Sequence, residues 1–176
     1  SKLDHYYFGN SLFGYELMRV IGFDPGLSAT GFGIIESDEK NNVYHIDNGV
    51  LRPPRKMPLP DRLNYLYKKG MELLKSYSPE VLSIEDTFYH KNIKSAMSLG
   101  QARGTLLLVG AHMGIPCVEY APRKIKMSVV GNGAASKEQV NYMICKLLKL
   151  PEGNIPTDAS DALAIALCYI HQNKFN

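Results

Sequence analysis

Four carboxylates in this chain occupy positions that are awkward for a charged group. Asp24 ends the apolar run of residues 19–23 and leads straight into Pro25 and Gly26, while Glu85 ends a second run, Val81-Leu82-Ser83-Ile84. Asp158 and Asp161 open an Ala/Leu/Ile-rich stretch near the end of the sequence. Their i, i+3 spacing sets both on one face of a first helical turn. Gathered together, four such groups repel one another unless cations neutralise them. Hard divalent ions that accept carboxylate oxygens, Mg²⁺ or Mn²⁺, are the natural partners. Two of them, about 4 Å apart, would activate a water and stabilise the leaving oxygen in phosphodiester hydrolysis.

Taken singly, each acid also has an ordinary structural role. Asp24 before Pro-Gly suits an Asx-type turn, and Glu85 suits a solvated strand end. Asp158 suits a helix cap, and Asp161 suits the positive end of the helix. The joint reading gains from order: strand-end acids recur in the sequence in which a mixed sheet would bring them together.

The elements that must position these groups are legible. Short apolar runs at residues 19–23, 30–36 and 43–51, closely spaced, predict an antiparallel meander. A Pro-rich segment, residues 53–60, leads to a helix with Leu63, Leu66, Tyr67, Gly70, Leu73, Leu74 and Tyr77 at i, i+3, i+4 spacing, broken by Pro79. A strand at residues 81–84 follows, then a helix at 93–112 with Ala96, Gly100, Ala102 and Gly104 along it. A fifth strand is expected at 116–120, and helices near 122–129, 137–148 and 158–172. Three strands followed by alternating helices and strands predict an α/β fold with a five-stranded mixed sheet flanked by helices. Residues 1–17 read unlike the rest and are expected to be a non-native or disordered N-terminal extension, with residues 18–176 forming one domain.

Composition sets the outer bounds. The chain has 176 residues, 45% hydrophobic and 21% charged, an ordinary globular balance. No apolar run approaches the roughly 20 residues that span a bilayer, and no signal-peptide pattern opens the chain, so a cytoplasmic protein without membrane partners is expected. Cys117, Cys145 and Cys168 lie inside apolar stretches without ligand spacing, and disulfides are not expected. The five histidines show no ligand spacing. The net charge of +3 permits a polyanionic partner without arguing for one.

Several segments carry a specific resemblance. Residues 22–33 (GFDPGLSATGFG) are similar to the opening motif of the RuvC family of Holliday junction resolvases. The similarity continues through residues 84–88 (IEDTF), 99–104 (LGQARG), 129–133 (VVGNG) and 158–166 (DASDALAIA), in order and with matching spacing from Met18 onward. The resemblance implies an RNase H-like fold and a homodimer that makes paired nicks in two strands of like polarity at a four-way DNA junction, leaving 5′-phosphate ends. It implies that Asp24, Glu85, Asp158 and Asp161 are the metal-binding catalytic acids, with two Mg²⁺ (or Mn²⁺) per site. Phe88 matches an aromatic that stacks on an unpaired base near the crossover; such stacking contributes about 1–3 kcal/mol per base. Lys126 and Lys137 match basic positions near the DNA backbone, with Lys91, Arg123 and Lys124 as further candidates. Residues 93–112 resemble the family's dimer helix, and the branch-migration motor of RuvA and RuvB is the implied partner in recombination and repair.

Two other readings stay in view. One is a related RNase H-like nuclease acting on RNA or another nucleic-acid intermediate. The other, of a different class, is an actin-like-fold phosphotransferase or ATPase, whose Asp-x-Gly turn holds Mg-phosphate. Such enzymes need a second repeat of the fold and an adenosine pocket, and 176 residues hold one repeat.

Overall fold

The computed structural model describes residues 17–86, 92–151 and 153–173. The extension expected over residues 1–17 lies, apart from Leu17, outside them. Five strands, β1 (Met18–Asp24), β2 (Thr30–Ser37), β3 (Val43–Leu51), β4 (Val81–Glu85) and β5 (Cys117–Tyr120), form one sheet in the order β3-β2-β1-β4-β5. The first three are antiparallel neighbours, while β1, β4 and β5 run parallel. Five helices flank the sheet: α1 (Leu59–Tyr77), α2 (Ile93–His112), α3 (Pro122–Val130), α4 (Lys137–Leu147) and α5 (Thr157–Gln172). Every expected element is present, most with ends displaced by a residue or so; α1 instead starts at Leu59, inside the Pro-rich segment, because Pro60 suits its first turn.

Alternation along the strands gives the sheet two covered faces. Ile21 and Phe23 of β1, with Leu82 and Ile84 of β4, bury against Leu74 of α1 and Leu106 and Val109 of α2. Val20 and Val81 point the other way, into a second core built by α3, α4 and α5. Asp24 continues the Val20 face at two-residue steps, and Glu85 continues the Val81 face. Both acids therefore emerge on the α5 side.

α5 is buried on nearly every side, from Ala159 through Ile170, as expected of a helix without a polar stripe. Its approach to the sheet is a backbone contact. A Cβ placed on Gly22 would stand 2.1 Å from the Ala162 carbonyl oxygen, and one on Gly31 would stand 1.8 Å from that of Asp158. Glycine at these two positions lets the N-terminal half of α5 lie directly on β1 and β2. α1 ends where expected: Ser78 takes the left-handed conformation (φ 46°), donates its N–H to Leu74 at 2.9 Å, and Pro79 follows.

Candidate active site

The ends of β1 and β4 set Asp24 and Glu85 side by side. Phe23 pairs with Ile84 in parallel register, so the next residues are one strand spacing apart, about 4.8 Å. The turn after Asp24 is tied by Thr30, whose hydroxyl donates to the Gly26 carbonyl at 2.7 Å and accepts from the Gly26 N–H at 3.2 Å. Asp24's carboxylate makes no hydrogen bond among the described residues and is not needed to hold the turn. Nor does Asp158 cap α5: the N-cap is Pro156, with no side-chain cap.

A cleft of about 210 Å³ opens at this edge of the sheet, with Asp24, Glu85, Asp161, Lys126 and Lys137 on its walls. Asp158 stands at the rim instead, its Oδ2 3.8 Å from an Arg52 guanidinium nitrogen. The structure thus brings three of the four acids into one cleft and holds the fourth a helical turn away. Phe88 and Lys91 lie outside the described residues.

Electrostatics single out Asp24. Burial, then repulsion from Asp161 and Glu85, pushes its carboxyl from an ordinary 3.8 up to about 7; Lys137 opposes this, and Asp158 adds a smaller push. A group in that condition accepts either a proton or a cation. Lys137 supplies the cation nearest to hand, its Nζ donating to Asp161 Oδ2 at 3.0 Å. That hydrogen bond holds the Lys137 ammonium above its usual range.

The position of Lys137 has a local cause. Ser136 and Gln139 form a reciprocal capping box, Ser136 accepting from the Gln139 N–H and Gln139 accepting from the Ser136 N–H. Lys137 is therefore the first residue of α4. A cation is disfavoured there by the helix macrodipole, so its presence makes sense through what it faces, the acids across the cleft. Lys126 reaches the same cleft from the middle of α3, which starts at Pro122 and ends at a left-handed Gly131 (φ 78°).

The donor set suits a hard divalent ion: all carboxylate oxygens, mutually repulsive, one of them driven to near-neutral pKa. Among the described residues no three His, Cys, Asp or Glu side chains are drawn tightly enough around one point to clasp an ion as they stand.

Two neighbouring cations carry no local sequence signal of their partners. Arg52 follows the end of β3 and meets Asp158, and the basic run of residues 52–56 was the available signal. Arg103 of α2 ion-pairs with Glu119 of β5 and stands 3.5 Å from Asp86, the residue after Glu85. It lies in the LGQARG motif and ties α2 to the ends of the parallel strands.

Sequence and fold are both similar to those of one known family. Residues 20–169 match the family model described as crossover junction endodeoxyribonuclease RuvC. Proteins of that name from Syntrophomonas wolfei subsp. wolfei and Geobacter sp. are 40% and 44% identical over 159 and 154 residues. Those alignments cover 90% and 88% of this chain, and 92% and 93% of the relatives. The solved structure of T. thermophilus RuvC in complex with Holliday junction substrate superposes with a TM-score of 0.83 at 29% identity, over 88% of this chain and 94% of that one. This chain belongs to the RuvC family of crossover junction endodeoxyribonucleases.

Proposed function

We propose that the chain resolves four-way DNA junctions by paired symmetric nicks, using Asp24, Glu85, Asp158 and Asp161 to hold two Mg²⁺ ions, with Mn²⁺ able to substitute. The observation that carries the metal assignment is Asp24, which lacks a hydrogen-bond partner among the described residues and is pushed up to about 7 by burial and by the acids around it. Held by these carboxylates, divalent ions would supply an acidified water and charge to stabilise the leaving 3′-oxygen. The chain's own work is placement. Asp24 and Glu85 are fixed by the sheet, and Asp161 by the α5 backbone seated on Gly22 and Gly31. Asp158, at the rim beside Arg52, would complete the set. Lys126 and Lys137 hold the scissile strand through its phosphates, which sets register without reading sequence. Phe88 and Lys91 enter this reading from the sequence alone.

Paired cutting calls for two equivalent sites, as an isologous dimer presents. α2 supports this with an exposed stripe. Ile93, Met97 and Leu108 are 79%, 62% and 58% exposed, in line with Gly100 and Gly104, where an added side chain would meet nothing within 4 Å. A second copy seated on this face would bury it. Work with RuvA and RuvB in the cytoplasm, in recombination and repair, completes the reading. No helix among the described residues is long and apolar enough to cross a membrane.

The test uses a synthetic four-way junction with and without Mg²⁺. Asp24→Asn should abolish cutting while junction binding persists; full activity in that variant would remove the assignment. Preferential cutting of an RNA substrate would favour the alternative nuclease reading.

A further inference from the structure

The acids lie in the middle of a row. Across the catalytic edge of the sheet, Asp24 pairs with Gly31 of β2, and Thr30 pairs with Leu51, the last residue of β3. Arg52 therefore leaves the sheet at the same edge as Asp24, two strand spacings away, about 10 Å. Lys126 and Lys137 flank the acids on the opposite side, from α3 and α4. A polyanion drawn across this edge is repelled at the centre and needs cations on both sides.

Residues 52–56 (RPPRK) supply cations on the β3 side. Arg52, Arg55, Lys56 and Arg62 fall within residues 52–62 with a single carboxylate, Asp61. Arg55 and Lys56 are exposed and make no ion pair among the described residues. A loop of like charges repels itself and tends to spread, yet this one is braced. Arg62 donates from Nε to the Met57 carbonyl at 2.9 Å and from its terminal nitrogen to the Arg55 carbonyl. The Met57 N–H closes a turn onto Pro54 at 3.0 Å. Pro53, Pro54 and Pro58 restrict φ along the segment. The bracing holds charge outward at a set place and so lowers the ordering cost of contacting a phosphate chain.

We propose that residues 52–56 form a second phosphate-gripping arm, with Arg55 and Lys56 contacting the DNA backbone across the acids from Lys126 and Lys137. This rests on the reading of the cleft as a DNA-cutting site. It adds a binding surface on the β3 side and assigns it phosphate contacts, not base recognition.

The experiment measures affinity of the full chain for a fluorescent four-way junction, without divalent ions, over a range of KCl concentrations. Arg55→Ala with Lys56→Ala should make the slope of log K against log [salt] less negative by about 1.8, since each phosphate contact on duplex DNA contributes roughly 0.9. At 0.1 M salt, affinity should fall on the order of 10- to 100-fold, equally for junctions of different sequence. Lys56→Gln alone should shift the slope by about half as much, and the charge-keeping pair Arg55→Lys with Lys56→Arg should restore it. An unchanged slope in the double variant overturns the proposal, as does a loss confined to one sequence. Failure of the broader reading looks different: the unaltered chain would then show no preference for a junction over duplex. The slope comparison is made on whichever DNA it binds.

Discussion

Lys137 Nζ meets Asp161 Oδ2 at 3.0 Å across the cleft, linking the first residue of α4 to the first turns of α5. The contact is exposed on the lysine side and modestly buried on the aspartate side. It answers the like-charge crowding around Asp24 with an internal cation, and it occupies ground that metal loading would take. On the proposed metal-dependent reading, metal and lysine would be alternative neutralisers of the same acids.

The Lys137 pair should matter more for DNA than for the fold. Exposed ion pairs typically contribute about 0–1 kcal/mol, so Lys137→Ala should lower the melting temperature only slightly. Junction affinity, by contrast, should weaken, with the salt slope reduced by about 0.9. A large drop in thermal stability with unchanged salt dependence would contradict this division.

The raised Asp24 carboxyl makes a signed pH prediction for metal-free protein. Folded Asp24 keeps its proton up to about pH 7, whereas the unfolded chain releases it near 3.8. The folded state therefore binds more protons between these values, and stability falls as pH rises through that window. The penalty is fully present above pH 7 and absent below about pH 4, and amounts to a few kcal/mol at most. Asp24→Asn should raise the melting temperature at pH 8 in EDTA and leave it unchanged at pH 4. Mg²⁺ should stabilise the original chain at pH 8 by mass action, about 2.7 kcal/mol at a hundredfold excess over Kd, and the variant much less. Parallel melting curves at three pH values decide it.

Gly31→Ala should damage fold and site together. Its Cβ would stand 1.8 Å from the Asp158 carbonyl oxygen, and neither backbone can yield cheaply. Overpacking of this kind costs roughly 1–3 kcal/mol, occasionally more. Cutting should drop further than the residual folded fraction explains, because Asp158 and Asp161 ride on the displaced turn. Denaturant melts beside single-turnover rates would separate the two effects.

On α2, Met97→Asp with Leu108→Asp should place charge on the face proposed to pair with a second copy. Sedimentation should then report monomer at concentrations where the parent is dimeric, and junction products should lose their pairing. A parent chain that is monomeric when bound to a junction would sink the dimer proposal.

Much of this was legible in the sequence. Strand alternation and the DPG and Pro79 signals located the elements, and the strand-end acids pointed at the cleft. The unequal places of Asp158 and Asp161 were not legible. An i, i+3 spacing fixes a shared helix face but not the helix's roll against the sheet, which Gly22 and Gly31 determine through tertiary contact. Arg52 and Arg103 escaped for a similar reason, since their partners Asp158, Asp86 and Glu119 are brought near only by folding. Lys137 was visible as a lysine near a cap. Its role facing Asp161 depends on α4 crossing beside α5.

Seating α5 directly on the strand backbones has a consequence for how such an enzyme fails. The helix carrying two of the acids is also the most enclosed of the helices, so its amides should exchange with solvent only when the whole domain opens. No partial loosening releases Asp161 while the sheet survives. On heating, loss of catalysis should therefore follow the global melting curve, with no earlier inactivation step.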